Sequence, residues 1–135
     1  MTNEDIAQIL DKYHTVAIVG LSNNPDRPSY GVAEYLKAKG YKIIPVNPAV
    51  AEVQGEKSFP NLAAIPEPVE IVDIFRRSED IPPIVDAAIQ VGAKVVWMQL
   101  GIENEPAASK ARQAGLKVVM NRCMKREHQA IHDQK

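Results

Sequence analysis

Thr15-Val16-Ala17-Ile18-Val19-Gly20 is the stretch that decides the fold. A β-branched, apolar run stopped by glycine reads as a strand buried on both faces, and such strands belong to parallel sheets covered by helices. After a polar loop, a helix is expected from Ser29, as its N-cap, to about Lys39, with Val32, Tyr35 and Leu36 inward and Gly40 closing it. Upstream, Asn3 to Tyr13 places Ile6, Ile9 and Leu10 on one face of a short amphipathic helix capped by Asn3. Downstream, Lys42 to Val46 is a second strand, in which Pro45 removes a ladder donor and marks a bulge or an edge.

The same alternation runs to the end of the chain. Strands are expected at Val69 to Phe75, Lys94 to Met98 and Leu116 to Met120, and helices at Ser78 to Val91 and Asn104 to Ala114. Pro82, Pro83 and Pro106 suit helical first turns. Between Asn47 and Pro68 a short strand near Lys57 to Phe59 and a helical turn at Asn61 to Ile65 are expected. Alternating strands and helices with right-handed crossovers imply a doubly wound, mostly parallel α/β sheet with helices on both faces. No repeat, low-complexity run or linker divides residues 1–135, so a single domain is expected.

Composition narrows the function. Hydrophobic residues make up 45% and charged residues 24% of the 135, which supports a packed core and argues against disorder. Sixteen Lys and Arg against 17 Asp and Glu give a net charge of -1, so no basic field holds nucleic acid or an acidic membrane. The single cysteine, Cys123, excludes an internal disulfide framework and a cysteine-based zinc site. An acidic start and no apolar run near the ~20 residues of a membrane span point to a soluble, cytoplasmic protein.

Doubly wound sheets bind ligands beyond the carboxyl ends of their strands. The residues there are Gly20 to Tyr30, Asn47-Pro48, Arg76-Arg77, Gln99-Leu100-Gly101 and Asn121-Arg122-Cys123-Met124. Gly20, directly after a buried strand and leading to a helix, lets backbone N–H groups approach a phosphate, and Ser22 adds a hydroxyl. Against phosphate binding stands a purely structural turn. The dinucleotide pattern G-x-G-x-x-G is not matched, since Ser22 and Pro25 occupy its later glycine positions. A nicotinamide dinucleotide site carries an acid at the end of the second strand, whereas Asn47-Pro48 stands there and suits an adenosine with extra phosphate. Arg27, Arg76 and Arg77 would supply cations with a planar fork, although Arg76-Arg77 ahead of Glu79-Asp80 also reads as a solvated charge pair. Strand alternation sends only one of that pair into the crevice, and likewise only one of Trp97 and Met98 into the core.

The runs TVAIVGLSNNPDRPSYGVAEYL, IIPVNP, VDIFRRSEDIPPIVDAAI, VVWMQLGI and MNRCMKREH resemble the small stand-alone CoA-binding proteins. Their domain is similar to the CoA-binding domain of the succinyl-CoA synthetase alpha subunit. The resemblance implies a Rossmann-like domain with coenzyme A or an acyl-CoA across the strand ends. It implies Gly20, Leu21 and Ser22 at the pyrophosphate, with Arg27, Ser29 and Tyr30 beside them. Val46, Asn47 and Pro48 would frame the adenosine, and Phe75, Arg76 and Arg77 the middle of the ligand. Gln99, Gly101, Asn121 and Cys123 would lie at the pantetheine end; Cys123 reads as a small buried hydrophobe or, within reach of the pantetheine sulfur, as a thiolate that exchanges with oxidised CoA to form a mixed disulfide.

The synthetase's phosphohistidine domain has no counterpart in the sequence, so that chemistry is not implied. His128 and His132, four apart in the C-terminal tail, share a helical face but read as exposed and silent. Ser22, Asp73 and His128 offer triad residue types without a nucleophile-elbow motif. Two functions follow. The first is non-enzymatic binding of CoA or acyl-CoA as carrier, sensor or partner subunit, with a protein partner unidentified. The alternative is a small NADP-dependent enzyme gripping a 2′-phosphate with the same arginines. No catalytic or metal-binding constellation is evident.

Overall fold

The computed structural model describes residues 1–132. The elements run α1 (Asn3–Lys12), β1 (Thr15–Val19), α2 (Pro28–Ala38), β2 (Lys42–Val46), β3 (Glu52–Val53), β4 (Glu56–Lys57), β5 (Ile71–Ile74), α3 (Ile81–Gln90), β6 (Val95–Met98), α4 (Glu105–Gln113), β7 (Lys117–Val119) and α5 (Met124–His132). Five parallel strands form one sheet in the order β2-β1-β5-β6-β7, and β3-β4 is a small antiparallel hairpin. The doubly wound arrangement is therefore present.

Strand alternation sorts the core into two layers. Val19, Ile44, Val72, Ile74, Val96 and Met98 pack with α3 and α4 on one face. Ile18, Ile43, Ile71, Val95 and Trp97 pack with α1, α2 and α5 on the other. Trp97 and Met98 are both fully buried, which corrects the expectation that only one would be. The reason is that helices cover both faces of the sheet, so alternation changes the layer and not the exposure.

Pro45 sits on the outer edge strand. Its register partner is Ile18, and its carbonyl accepts from the Phe59 N–H on the open side, at 3.0 Å, so no ladder donor is missing. Helix starts differ from the reading by a residue or two. Thr2, not Asn3, caps α1 in a reciprocal capping box with Asp5. α2 begins at Pro28 with Arg27 as a cap that makes no side-chain bond. Ser29 is released for another contact, described below. The segment read as a tail after the last strand contains α5, whose Met124 and His128 are buried. Among the described residues no helix is long and apolar enough to cross a membrane.

Candidate functional site

The chain order turns around between β1 and β5: β1 is followed outward by β2, and the chain then returns to the other side of β1. At such a switch point the loops leave in opposite directions and open a crevice. Gly20, at φ +88°, lies at its base, where a Cβ would stand 2.5 Å from the Phe75 carbonyl oxygen and 3.2 Å from Arg76 Nε. No other residue fits without moving the end of β5.

The loop after Gly20 is braced from within. The Ser22 N–H donates to Ser29 Oγ at 3.0 Å, and Ser22 Oγ accepts from the Asn24 N–H at 3.0 Å. This is where the Ser29 side chain is engaged in place of capping α2. From β2, Asn47 Nδ2 donates to the Leu21 carbonyl at 3.0 Å, while its Oδ1 accepts from the Ala49 N–H. The N–H groups of Leu21 and Asn23 find no acceptor among the described residues. A shaped loop with open N–H groups beside a helix N-terminus favours an anion.

Two cavities meet at Arg76 and Asp80, which line both. The first, of about 390 Å³, is an apolar slot among Val19, Val46, Pro48, Leu62, Ile84 and Ala87. The second, of about 790 Å³, is polar and runs past Gly20, Ser22, Arg27, Phe75, Arg77 and Gly101. Arg76 and Arg27 have no ion-pair partner among the described residues. Arg77 instead faces Glu79 at 3.4 Å and Asp80 at 3.5 Å. The two neighbouring arginines thus have different surroundings, although both reach the crevice wall.

Ten of the residues singled out in the sequence line these cavities: Gly20, Ser22, Arg27, Ser29, Val46, Pro48, Phe75, Arg76, Arg77 and Gly101. The other six lie elsewhere. Leu21 is buried in the core, and half-buried Tyr30 offers its carbonyl to Gln54 Nε2 in the β3-β4 hairpin. Asn47 is turned to the loop as described. Gln99 is 3% exposed and its Nε2 donates to Asp73 Oδ1. Asn121 and Cys123 line a separate cavity of about 450 Å³ with Leu100 and Met120. Asn121, at φ 58°, accepts from the Gly101 N–H through Oδ1 at 2.6 Å and donates its own N–H to the Ile102 carbonyl.

Asp73 is fully buried, and its Oδ2 has no hydrogen-bond partner among the described residues. Burial pushes its carboxyl up to about 7, only partly offset by the Gln99 bond. Asp73 lies on β5 with its neighbours Ile18 and Trp97 in register, while His128 lines a different cavity with Tyr41 and His14. Ser22 lines the crevice, so the triad residue types are not assembled. Among the described residues no group of three His, Cys, Asp or Glu side chains can hold a metal ion.

Leu62, Ile84 and Ala87 were missed as site residues. Ile84 and Ala87 fall within the helix expected over Ser78 to Val91 and carry no ligand signal of their own, and nothing local to Leu62 marks it. The Val46–Phe59 bridge, which carries the chain back along β2, delivers Leu62 to the slot.

Comparison with known proteins places this geometry. The chain is 40% identical over 124 residues to the uncharacterized protein YneT of Bacillus subtilis, covering 92% of each chain. A solved structure of a hypothetical protein from Pyrococcus horikoshii superposes with a TM-score of 0.95 at 44% identity, over 98% of this chain and 93% of that one. Over 82 residues the chain is 29% identical to an ADP-forming acetate–CoA ligase of Archaeoglobus fulgidus, a match spanning 59% of this chain and 12% of the ligase. The model of the CoA-binding domain matches residues 14–129, and the chain belongs to that family.

Proposed function

We propose that the protein binds coenzyme A or an acyl-CoA in the two joined cavities, without catalysing a reaction, as a carrier, sensor or partner subunit. The observation that carries this reading is the sequence of environments along the crevice. An apolar slot suited to a flat adenine leads, at Arg76, to a loop of open N–H groups and unpaired arginines suited to phosphates. The polar cavity then continues to Gly101 and Ile102, where the ligand's arm would lie. Adenine would pack against Val46, Pro48 and Leu62, burying apolar surface at roughly 25 cal/mol per Å². The pyrophosphate would sit at Gly20 to Ser22 with Arg27 and Ser29 beside it, and Arg76 would meet the ligand's phosphate charge. Asn47 holds the Leu21 carbonyl in place, and through it the loop.

In this reading Gln99 and Asn121 support the arm's end from behind: Gln99 from beneath the sheet end, Asn121 by fixing Gly101. Membership in a family related to CoA ligases supports the ligand class. The absence of a carboxylate at the end of β2 sets the reading apart from a nicotinamide dinucleotide site.

The test is a thermal-shift series with CoA, acetyl-CoA, dephospho-CoA, NAD and NADP. A ligand at 100 times its Kd stabilises the fold by ~2.7 kcal/mol. CoA and acetyl-CoA should raise the midpoint and NAD should not. Stabilisation by NADP without CoA would replace this reading with that of a small NADP-dependent enzyme.

A further inference from the structure

All three histidines converge at the opposite end of the sheet, on a cavity of about 500 Å³ between α1, the end of α2 and α5. His128, on α5, is 5% exposed. Its Nδ1 meets the Tyr35 hydroxyl of α2 at 2.7 Å, and its ring stacks on His132 with centroids 4.1 Å apart. The edges of Tyr35 and Tyr41 close around it at 5.3 and 5.6 Å. Tyr41 is itself tied to α1, donating to the Leu10 carbonyl at 2.6 Å, and its other side faces His14 at 5.1 Å. The end of α5 is therefore held to α1 and α2 by rings around one imidazole.

That packing suits a neutral ring. With Nδ1 accepting the Tyr35 O–H, the proton of neutral His128 belongs on Nε2; an added proton makes Nδ1 a donor and reverses the bond. The charged groups around it are mixed. Lys39, just after α2, and His132 on α5 disfavour a second positive charge, and Lys125 lies over the Tyr35 ring. Glu4 and Asp11 on α1 line the same cavity and favour one. His14 adds a third imidazole, and burial keeps the Tyr41 phenol protonated, pushed up to about 12. Burial, followed by His132 and Lys39, holds His128 below the usual histidine range.

The other end of α5 lies beside the separate cavity of Asn121 and Cys123, one hydrogen bond from the crevice residue Gly101. Met124 is fully buried in the core layer beneath it, and Arg122, just before it, accepts the Trp97 indole N–H through its carbonyl at 2.7 Å. Arg122 also pairs with Glu127 of α5 at 2.8 Å. One residue earlier, Asn121 holds the Gly101 N–H, and Gly101 lines the polar cavity.

We propose that α5 is a proton-operated clasp: it closes when His128 is neutral, and protonation of that ring loosens the helix and, through Arg122 and Asn121, the Gly101 edge of the crevice. Acid conditions then weaken the order of one crevice wall while leaving the sheet intact. The device rests on the fold and does not depend on which ligand occupies the crevice.

The test uses hydrogen exchange followed by NMR on the whole protein without ligand. Trp97 is the only tryptophan, so its indole proton is a single unambiguous reporter at the Arg122 contact. Between about pH 7.5 and about pH 5.5, protection factors of the α5 amides and the Trp97 indole should fall about tenfold, while those of β1 stay constant. His128→Gln keeps an acceptor for Tyr35 but cannot titrate there, and His128→Phe keeps a ring; in either, the pH dependence should vanish. A flat wild-type series overturns the proposal whatever the variants do. So does a pH dependence that survives in both variants, or loosening of α5 that leaves the indole protected.

Discussion

The two walls of the crevice differ in what their polar groups already do. On the wall built from β1, β5 and the start of α2, the loop N–H groups of Leu21 and Asn23 lack acceptors, and Arg27 and Arg76 lack acids, among the described residues. On the wall built from β6, β7 and the start of α5, nearly every group named is engaged with another. Gln99 bonds Asp73, Asn121 bonds Gly101, and the Trp97 indole bonds the Arg122 carbonyl. In the proposed reading the first wall meets a charged ligand, while the second holds its own shape. Sequence position alone assigns both walls the same role, because all these residues follow strands.

The hardest way to break the contrast is at Gly20. Gly20→Ala should cost about 2–5 kcal/mol, from the strained positive φ together with a Cβ pressed on the Phe75 carbonyl. Urea denaturation measures it, and a loss under about 1 kcal/mol would mean that the β1 and β5 ends separate freely.

Asp73, on β5, bonds Gln99 of the second wall, and its effect depends on pH. The folded protein keeps a proton on it up to about pH 7, whereas the unfolded chain loses that proton near the ordinary value of 3.8. The folded state thus binds more protons between those values, so the group costs stability as pH rises through that window, and the cost is complete above it. Asp73→Asn should therefore stabilise the protein by about 2–4 kcal/mol at about pH 8 and hardly at all at about pH 3.5. Equal effects at both pH values would show that Asp73 does not titrate in this window.

Arginine variants sharpen the first wall. Arg76→Ala should weaken CoA binding by about 1.5–3 kcal/mol, the worth of a charge-assisted contact, and Arg77→Ala, already shared with Glu79 and Asp80, by under about 0.5 kcal/mol. Calorimetric titration with CoA and dephospho-CoA shows in addition whether Arg76 meets the 3′-phosphate. Similar losses in both variants would erase the distinction drawn between them.

The smallest effect on stability is expected at Asn121. Asn121→Ala removes the bond to Gly101 and leaves a Cβ at φ 58°, for about 1–2 kcal/mol of stability. Asn121→Gly relieves the backbone and should lose only the carboxamide's share. If glycine costs as much as alanine in denaturation, the side-chain bond carries the whole effect.

Much of this molecule was legible before folding was considered. Val16 to Val19 and Val95 to Met98 announce strands because a strand covered on both faces is apolar almost throughout, and that property is local; Ile71 to Ile74 follows it except at Asp73. Gly20 marks the end of the strand in the same local way, but its close approach to Phe75 does not show in the sequence. α5 was not legible, since its polar run Lys125-Arg126-Glu127 resembles a solvated tail and only packing against Tyr35 and Tyr41 shows that His128 is inside.

By itself, then, the sequence determined that the sheet is parallel and doubly wound, that its carboxyl ends carry small, polar and cationic residues, and that the family is one that binds CoA. Tertiary structure alone decided which of those residues are available. Strand order sets Gly20 against Phe75 and Asp73 beside Gln99, and it sets the Asn121 side chain against Gly101. Those partners are 20 to 55 residues apart along the chain. A polar group is free for a ligand only when no other protein group satisfies it, and whether such a partner arrives is settled by which strands become neighbours.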